Sequence, residues 1–216
     1  MTSRELSTDW GKYIGTSFFS KRVFAGYKKF FSHLKKEWPE NAKILELGSA
    51  TGRLSFWLSK NFPVSEIVLV DSNEKLIKKS KKIFSSANMP VRFIKQDVRD
   101  LDLKEKFHLV HSAGLIEHFS PNDQKRIVEI YKKHCYPGTW SIVYAPTPAR
   151  AYKFWRRAQE IAGCWKYPDE KPILQKDLSN LFSNAGFEII ASNKVWRTYL
   201  TEVGVLARLC QHKNQT

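Results

Sequence analysis

Short apolar runs alternate with amphipathic segments through the first two thirds of the chain. Apolar positions recur at helical spacing over residues 20–38 and stop at Pro39, which predicts a helix ahead of a sheet. The apolar runs that follow lie at residues 43–47, 67–70, 91–94, 107–112 and 139–144. Because segments with helical character separate these runs, the pattern predicts a mostly parallel sheet with helices on both faces.

The last third of the chain departs from this alternation. A basic, aromatic helix is predicted over 149–162 and a second helix over 175–184. Two apolar strands, at 187–195 and 201–209, are close in sequence and should therefore pair antiparallel. The predicted fold class is α/β, with a three-layer, doubly wound, mostly parallel seven-stranded sheet of Rossmann-like type. It carries an antiparallel C-terminal strand, an N-terminal helix and a helical lid insert after strand 5.

A loop of small residues, Gly48 to Gly52, separates the first strand from the next helix. Glycine permits positive φ and lets a ligand approach the backbone closely. Glu46, Asp71 and Asp97 stand at the ends of the first three strands, where parallel sheets bind ligands. A dinucleotide fold would carry GxGxxG, with the pyrophosphate at a helix N-terminus. Glu46, two residues before the first glycine, would repel a pyrophosphate and suits a cationic group such as an amine or a sulfonium.

At these residues the chain resembles the class I S-adenosylmethionine-dependent methyltransferases. The segment 46–52 is similar to the first motif of the family, with Ala50 in place of the usual middle glycine. Residues 107–119 are similar to the fourth strand and active-site rim of the small-molecule-type members. The resemblance spans residues 42–145 and implies S-adenosylmethionine as the cofactor.

The resemblance also assigns parts of the cofactor to residues. It implies that Glu46 and the glycine loop hold the methionine portion, Asp71 the ribose, and Asp97 with Val98 the adenine. The implied cofactor-binding residues are Glu46, Gly48, Ser49, Ala50, Gly52, Asp71, Ser72, Asp97, Val98 and Ala113. Ser72 is also predicted to be the N-cap of the helix over 73–84.

Candidate catalytic groups follow the fourth strand. Methyl transfer from a sulfonium is an in-line displacement that depends mainly on alignment and exclusion of water, and a general base is needed only for a protonated acceptor. Glu117 and His118 are the candidates for a base or an acceptor-positioning group. The alternative for His118 is a hydrogen-bonded structural residue at the start of the next helix. No metal site is predicted, because neither residue has a partner at recognisable spacing and no CxxC pair occurs.

The acceptor pocket is expected to form from the N-terminal segment and the lid insert. Their aromatic residues could contact a cation or simply pack these segments on the sheet. They are Trp10, Tyr13, Tyr152, Trp155 and Trp165. Residues 152–157 have the mixed basic and aromatic composition of a nucleic-acid contact. The composition favours instead a lid helix that buries Phe154 and leaves its basic residues in water.

The net charge of +15 favours an anionic partner or simple solubility. The densest run, five lysines between Lys75 and Lys82, is more typical of a solvated helix face than of an RNA contact. No apolar leader and no apolar stretch of membrane-spanning length occurs, which predicts a cytoplasmic protein with no membrane partner.

These features predict a single methyltransferase domain over residues 1–216. Its expected parts are an N-terminal helical cap (1–40), a cofactor-binding core (41–145), the lid insert (146–173) and a C-terminal helix with a strand pair (174–210). The predicted function is methyl transfer to a small-molecule acceptor at an O, N or C nucleophile. The alternatives are an RNA or protein methyltransferase guided by basic surface, and a non-catalytic regulatory protein that binds S-adenosylmethionine. The sequence leaves the acceptor and the oligomeric state open.

Overall fold

Helices and strands alternate along the computed structural model, which describes residues 8–10, 21–85, 87, 89–197 and 200–210. The helices are α1 (Lys21–Lys35), α2 (Arg53–Ser59), α3 (Glu74–Ile83), α4 (Pro121–His134), α5 (Arg150–Ile161) and α6 (Gln175–Asn184). The strands are β1 (Ala42–Leu47), β2 (Val64–Asp71), β3 (Val91–Lys95), β4 (Phe107–Ala113), β5 (Cys135–Pro146), β6 (Phe187–Arg197) and β7 (Leu200–Leu209). Across these described ranges, no helix combines the length and the apolar character that crossing a bilayer requires.

The seven strands form one sheet in the order β3-β2-β1-β4-β5-β7-β6. Strands β1 to β5 pair in parallel, whereas β7 runs antiparallel to both β5 and β6. The predicted fold class is therefore confirmed. Strand β5 begins earlier than predicted, at Cys135, because the Pro137–Gly138 pair is absorbed as a register shift against β4 and does not end the strand.

Alternate side chains of the sheet pack against different helix layers. Leu45 and Leu47 of β1 belong to a buried cluster that includes residues of α4 and α6. Ile44 belongs to a second cluster, formed with residues of α1 and α2. Glu46 follows the same two-residue alternation as Ile44 and therefore faces the α1–α2 side of the sheet. This register brings a carboxylate into a largely apolar layer.

Helix α3 begins at Glu74, one residue later than predicted. Asn73 is the N-cap, and its side chain accepts hydrogen bonds from the amides of Lys75 (3.0 Å) and Leu76 (3.2 Å). The prediction that Ser72 is the N-cap of this helix is therefore wrong. An asparagine oxygen satisfies the first amides of the helix as well as a serine oxygen does, and Asn73 has the extended backbone that a cap requires.

The turn between β1 and α2 takes up left-handed backbone at alternate residues. Gly48 has φ 60°, Ala50 has φ 48° and Gly52 has φ 67°. A Cβ on Gly52 would lie 2.6 Å from Leu69 Cδ1 and 2.8 Å from Phe84 Cε2, both of which are buried. Ala50, in contrast, accepts its positive φ with a side chain present, at a local backbone cost. The turn is therefore tight enough to require glycine at Gly52.

Replacing Gly52 by alanine should destabilise the fold. We expect Gly52→Ala to lower the free energy of unfolding by about 2–4 kcal/mol, because it adds left-handed strain to overpacking against two core side chains. The matched control is Ala50→Gly, which relieves strain in the same turn and should leave the free energy of unfolding unchanged or raised by less than about 1 kcal/mol. Urea unfolding measures both. Equal losses in the two variants would contradict this account of the turn.

Candidate functional site

A cavity of about 220 Å³ opens at the carboxyl ends of β1 to β4. Among the predicted site residues, its lining contains Glu46, Gly48, Ser49, Ala50, Asp71, Ser72, Asp97, Val98, Ala113, Glu117 and His118. Gly52 is not on the lining. It packs closely against the side chains of Leu69 and Phe84. The carboxyl edge of a parallel sheet is where such folds bind ligands, so the topology gathers these residues.

Glu46 lies in a buried polar network at the floor of this cavity. Its Oε2 accepts hydrogen bonds from the Ser55 hydroxyl at 2.6 Å and from the Ser55 amide at 3.3 Å. The same hydroxyl lies 2.9 Å from His111 Nε2. His111 is the register partner of Glu46 across the β1–β4 pair, so the two side chains emerge on the same side of the sheet.

The ionisation of this network is set by burial. Burial raises the pKa of Glu46 to about 8, although the hydrogen bonds from Ser55 favour the charged form. Burial also lowers the pKa of His111 to about 3, so its ring is neutral at neutral pH. Glu46 therefore binds a proton when nothing else supplies positive charge, and a cation bound beside it would favour the carboxylate.

Asp71 joins the glycine turn to the end of β2. Its Oδ2 accepts a hydrogen bond from the Ala50 amide at 2.8 Å, and its Oδ1 accepts one from the Asn73 amide at 2.8 Å. Burial raises the pKa of this carboxyl, and the two amide donors oppose that shift. Asp71 thus holds the turn and the start of α3 in place while it also lines the cavity.

Asp97 is paired with Arg99, a residue outside the predicted site. Arg99 donates from Nε to Asp97 Oδ1 at 3.0 Å and from its terminal nitrogen to Oδ2 at 2.7 Å. The hydrogen-bonded Arg99 guanidinium lowers the pKa of Asp97, which is therefore ionised at neutral pH. Asp97 also caps the short helical turn Val98–Asp100, which places the buried Val98 on the cavity wall.

His118 belongs to an aspartate–histidine pair. Its Nδ1 lies 3.1 Å from Asp169 Oδ1, and its Nε2 lies 3.9 Å from Glu117 Oε1. Burial lowers the pKa of His118, although Asp169 opposes the shift, so the ring is largely neutral at neutral pH. An ionised Asp169 accepts the Nδ1 proton, and Nε2 is then the basic nitrogen of the ring.

Glu170 completes a cluster with Glu117 and His118. One polar atom from each of the three residues lies within 4.8 Å of the others, a separation at which they could hold a metal ion. The prediction of no metal site depends on the spacing of ligands along the sequence. That spacing does not reveal this cluster, because Glu170 comes from the distant lid insert. Burial raises the pKa of Glu170 to about 7, against the hydrogen bond from Tyr152.

The aromatic side chain that the lid helix α5 buries is Tyr152, and not the predicted Phe154. Tyr152 is buried and its hydroxyl donates to the Glu170 carboxylate, and Arg156, one turn later, donates to the Glu170 carbonyl oxygen at 2.7 Å. Phe154 is 78% exposed, so the predicted burial of Phe154 is wrong. The hydrogen bonds to Glu170 select the inward face of the helix, and Phe154 lies on another face.

Only part of the predicted aromatic set reaches the cavity. Trp10 lines it, with its ring 4.9 Å from the His118 ring, whereas Trp155 and Trp165 are absent from the lining. Tyr13 lies outside the described residues. Tyr167, which is outside the predicted aromatic set, also lines the cavity, with its ring 6.1 Å from that of Trp10.

Several further residues of the site carry no sequence signal of their own. They are Arg53, Ser55, His111, Asp169, Glu170 and Glu202. Arg53 follows the glycine turn directly and lines the cavity, and its buried Nε has no hydrogen-bond partner within the described part of the chain.

The raised pKa of Glu46 predicts a pH-dependent contribution to stability. Because the folded value, about 8, exceeds the ordinary value of 4.5, folding takes up a proton between these limits, and stability falls as pH rises through the window. Glu46→Gln should remove this slope, which is at most about 1.4 kcal/mol per pH unit. Urea unfolding from pH 5.5 to 8 should show the variant gaining stability relative to the wild type as pH rises.

The control for this measurement is Glu74→Gln. Glu74 is exposed, and hydrogen bonds from Lys78 and Lys95 lower its pKa, so it stays ionised throughout the window. The stability difference between this variant and the wild type should therefore be independent of pH. A difference between wild type and Glu46→Gln that is equally flat would show that Glu46 is ionised in the folded protein.

Comparison with known proteins places this site in a known fold. Residues 44–138 match a family model described as a methyltransferase domain. A search of the curated proteins found no match to this chain. The magnesium protoporphyrin IX methyltransferase of Synechocystis, solved with bound S-adenosylhomocysteine, is similar, with TM-score 0.68 and 14% identity over 85% of this chain and 82% of that chain.

Other solved structures show the same similarity. The 1,6-didemethyltoxoflavin-N1-methyltransferase of Burkholderia thailandensis has TM-score 0.69 and 17% identity, covering 93% of this chain and 83% of that one. An S-adenosylmethionine-dependent methyltransferase of Clostridium acetobutylicum has TM-score 0.62 and 13% identity, covering 88% of this chain and all of its own. The family match supports the prediction of a methyltransferase, and the similar structures solved with S-adenosylhomocysteine support the prediction of S-adenosylmethionine as the cofactor. Residues 44–138 therefore match a methyltransferase domain, and the chain has the fold of class I S-adenosylmethionine-dependent methyltransferases.

Proposed function

We propose that the protein transfers the methyl group of S-adenosylmethionine to a small-molecule acceptor bound beside His118. The observation that carries this proposal is one cavity lined both by the glycine turn and by His118, whose Nδ1 lies 3.1 Å from Asp169 Oδ1. A donor bound at the turn and an acceptor bound at His118 would share one enclosed space. Alignment of two reactants in such a space is the main source of acceleration for this kind of displacement.

The residues around the turn suit the parts of the cofactor. Glu46 would carry its negative charge beside the cationic methionine portion, and Arg53 would pair with the carboxylate of that portion. Asp71, which keeps acceptor capacity beyond its two amide contacts, would accept from the ribose hydroxyls. Asp97 and Val98 line the part of the cavity assigned to the adenine. Apart from that of Arg53, which rests on its position on the cavity lining, these assignments follow the family resemblance residue by residue.

The protein's own residues would then position the acceptor and move its proton. S-adenosylmethionine supplies an activated methyl group, whose bond to sulfur breaks as the bond to the acceptor forms. Trp10 and Tyr167 cover the His118 side of the cavity and would exclude water. His118 Nε2 would accept the proton that an O–H or N–H acceptor loses, since Asp169 holds the ring by Nδ1.

A small molecule fits this cavity better than a nucleic acid. Buried carboxyl groups of Glu117, Glu170 and Glu202 line it, and they would repel a phosphate backbone. The lysines of the Lys75–Lys82 run lie on α3, where most of them are exposed. Two of the similar structures are named for small ring compounds, a magnesium protoporphyrin and a didemethyltoxoflavin.

The direct test is a labelled-methyl assay over a panel of metabolites and RNA, run beside calorimetry with S-adenosylmethionine and NAD. We expect S-adenosylmethionine binding and label transfer to at least one small molecule. Label in RNA alone would favour the macromolecular alternative. Binding of S-adenosylmethionine without transfer to any acceptor would favour the regulatory alternative. Tight binding of NAD without binding of S-adenosylmethionine would refute the proposal.

Asp71 should be required for cofactor affinity. We expect Asp71→Ala to weaken binding of S-adenosylhomocysteine by roughly ten- to hundredfold, because it removes a charged hydrogen-bond acceptor and releases the Ala50 amide. Calorimetry measures the affinity, and urea unfolding checks that the variant is folded. Asp100→Asn removes one exposed carboxylate close to the same sheet edge and should leave the affinity unchanged. An unaltered affinity in the folded Asp71 variant would remove Asp71 from the site.

His118 should control the acidic side of the pH–rate profile. We expect His118→Gln to lower kcat by roughly 10²–10⁴ for an acceptor that loses a proton in the reaction. Burial lowers the pKa of His118, so the wild-type rate should fall only below pH 6.5, the ordinary value, as the ring becomes protonated. The variant should lack that fall. His33→Gln, on exposed α1 surface, is the control, and identical pH profiles for wild type and His118→Gln would exclude His118 as the base.

A further inference from the structure

Three buried polar side chains form a hydrogen-bonded chain that ends at the floor of the cavity. The Oε2 atom of Glu46 accepts from the Ser55 hydroxyl at 2.6 Å, and that hydroxyl lies 2.9 Å from His111 Nε2. Glu46, Ser55 and His111 are 5%, 0% and 1% exposed. Of the three, Glu46 alone lines the cavity. Ser55 and His111 can therefore act on a ligand only through Glu46.

The single hydroxyl proton of Ser55 fixes the direction of this chain. A serine hydroxyl donates one hydrogen bond and accepts through two lone pairs. When Glu46 is ionised, Ser55 donates that proton to the carboxylate, so the contact with His111 requires Nε2–H to donate to Ser55 Oγ. The His111 ring carries one proton at neutral pH, because burial lowers its pKa to about 3. Its Nδ1 is then the unprotonated nitrogen.

The surroundings of His111 Nδ1 support this tautomer. Nδ1 is buried and has no hydrogen-bond partner among the residues that the structure describes. Leu109, on the same face of β4, and Ile142, the register partner of His111 on β5, belong to the apolar cluster there. If Ser55 donated to His111 instead, the ring proton would lie on Nδ1 without an acceptor, and buried N–H groups of that kind are rare. The burial of Nδ1 thus favours the tautomer that keeps Glu46 an acceptor.

The backbone holds the members of this chain in place. Glu46 and His111 are register partners across the β1–β4 pair, and Ser55 lies in the first turn of α2. The Ser55 amide also donates to Glu46 Oε2, at 3.3 Å, so both hydrogen bonds from Ser55 reach the same carboxylate oxygen. Among the described residues no group donates to Oε1, which leaves that oxygen for a ligand at the cavity floor.

We propose that His111 and Ser55 are positioning residues for the cofactor: His111 orients the Ser55 hydroxyl, Ser55 holds Glu46 Oε2, and Glu46 Oε1 accepts from the ammonium group of the methionine portion. This inference rests on the proposed function, because it deepens the assignment of Glu46 to that portion of S-adenosylmethionine. Affinity for the ammonium group then depends on a histidine that does not touch the ligand, since a binding group is only as well placed as the residues that support it.

A matched pair of ligands isolates the ammonium group. S-adenosylhomocysteine carries this group, whereas its deamino analogue has hydrogen in place of the amino group and keeps the carboxylate, the ribose and the adenine. Calorimetry should show that the wild type binds S-adenosylhomocysteine roughly ten- to hundredfold more tightly than the analogue, because the analogue lacks a charged hydrogen bond. A general change in folding or cavity shape lowers both affinities together, so their ratio reports the contact with the ammonium group.

Variants along the chain should change this ratio in a set order. His111→Leu should reduce it roughly three- to tenfold, because the Ser55 hydroxyl loses its donor. His111→Gln should restore most of the loss, since a glutamine amide can donate from a position close to that of Nε2. Ser55→Ala should reduce the ratio at least as much as His111→Leu, and adding His111→Leu to it should have no further effect, because both act through one chain. His108→Leu, on the same strand and outside the cavity lining, should leave the ratio unchanged.

The outcomes separate failure of the inference from failure of the proposed function. Equal ratios in the wild type and in His111→Leu, with urea unfolding showing both folded, would overturn the inference, and so would equal losses in the leucine and glutamine variants. If His111→Leu does not fold, Ser55→Ala decides by the same ratio. A wild type that binds both ligands equally would show that Glu46 does not hold the ammonium group, which overturns the inference while the proposed methyl transfer stands. A wild type that binds neither ligand would refute the proposed function itself.

Discussion

The hydrogen bond between the Ala50 amide and the Asp71 carboxylate fixes the geometry on which the site depends. It ties the turn after β1 to the end of β2, and a second bond, from the Ser49 amide to the Val70 carbonyl oxygen at 2.9 Å, runs beside it. The turn can then hold three left-handed residues at alternate positions without moving off the sheet. One carboxylate thus serves both the shape of the turn and the wall of the cavity.

Features encoded in short stretches of sequence were predictable. The strands, the glycine turn and the acids at strand ends follow from local apolar patterns, and the parallel topology then brings the acids to one edge. The predictions that are wrong concern which of two nearby residues takes a given position, where both residues are of a suitable type. Asn73 caps α3 although Ser72 precedes it, and Tyr152 turns inward although Phe154 is the more apolar side chain.

Contacts between distant segments were not predictable from spacing. Asp169 reaches His118 from the lid insert, and Glu170 joins Glu117 from the same insert, so no local motif marks either pair. Thr8 donates to the same Asp169 oxygen, which brings the N-terminal segment to this point as well. The His118 side of the cavity is therefore assembled from three stretches of chain, whereas most of the side around the glycine turn comes from one continuous region. This difference explains why sequence patterns indicate the methyl donor more readily than the acceptor.

The buried Glu46 carboxyl links ligand binding to proton exchange with the solvent. Its pKa of about 8 means that it is mostly protonated near neutral pH when the cavity holds no cation. A positively charged ligand placed beside it would release that proton, because the charged form becomes the favoured one. The heat of binding would then include the protonation heat of the buffer. Measurements in buffers of different ionisation enthalpy would count the protons released for each ligand bound, and so report the charge state of the cavity floor.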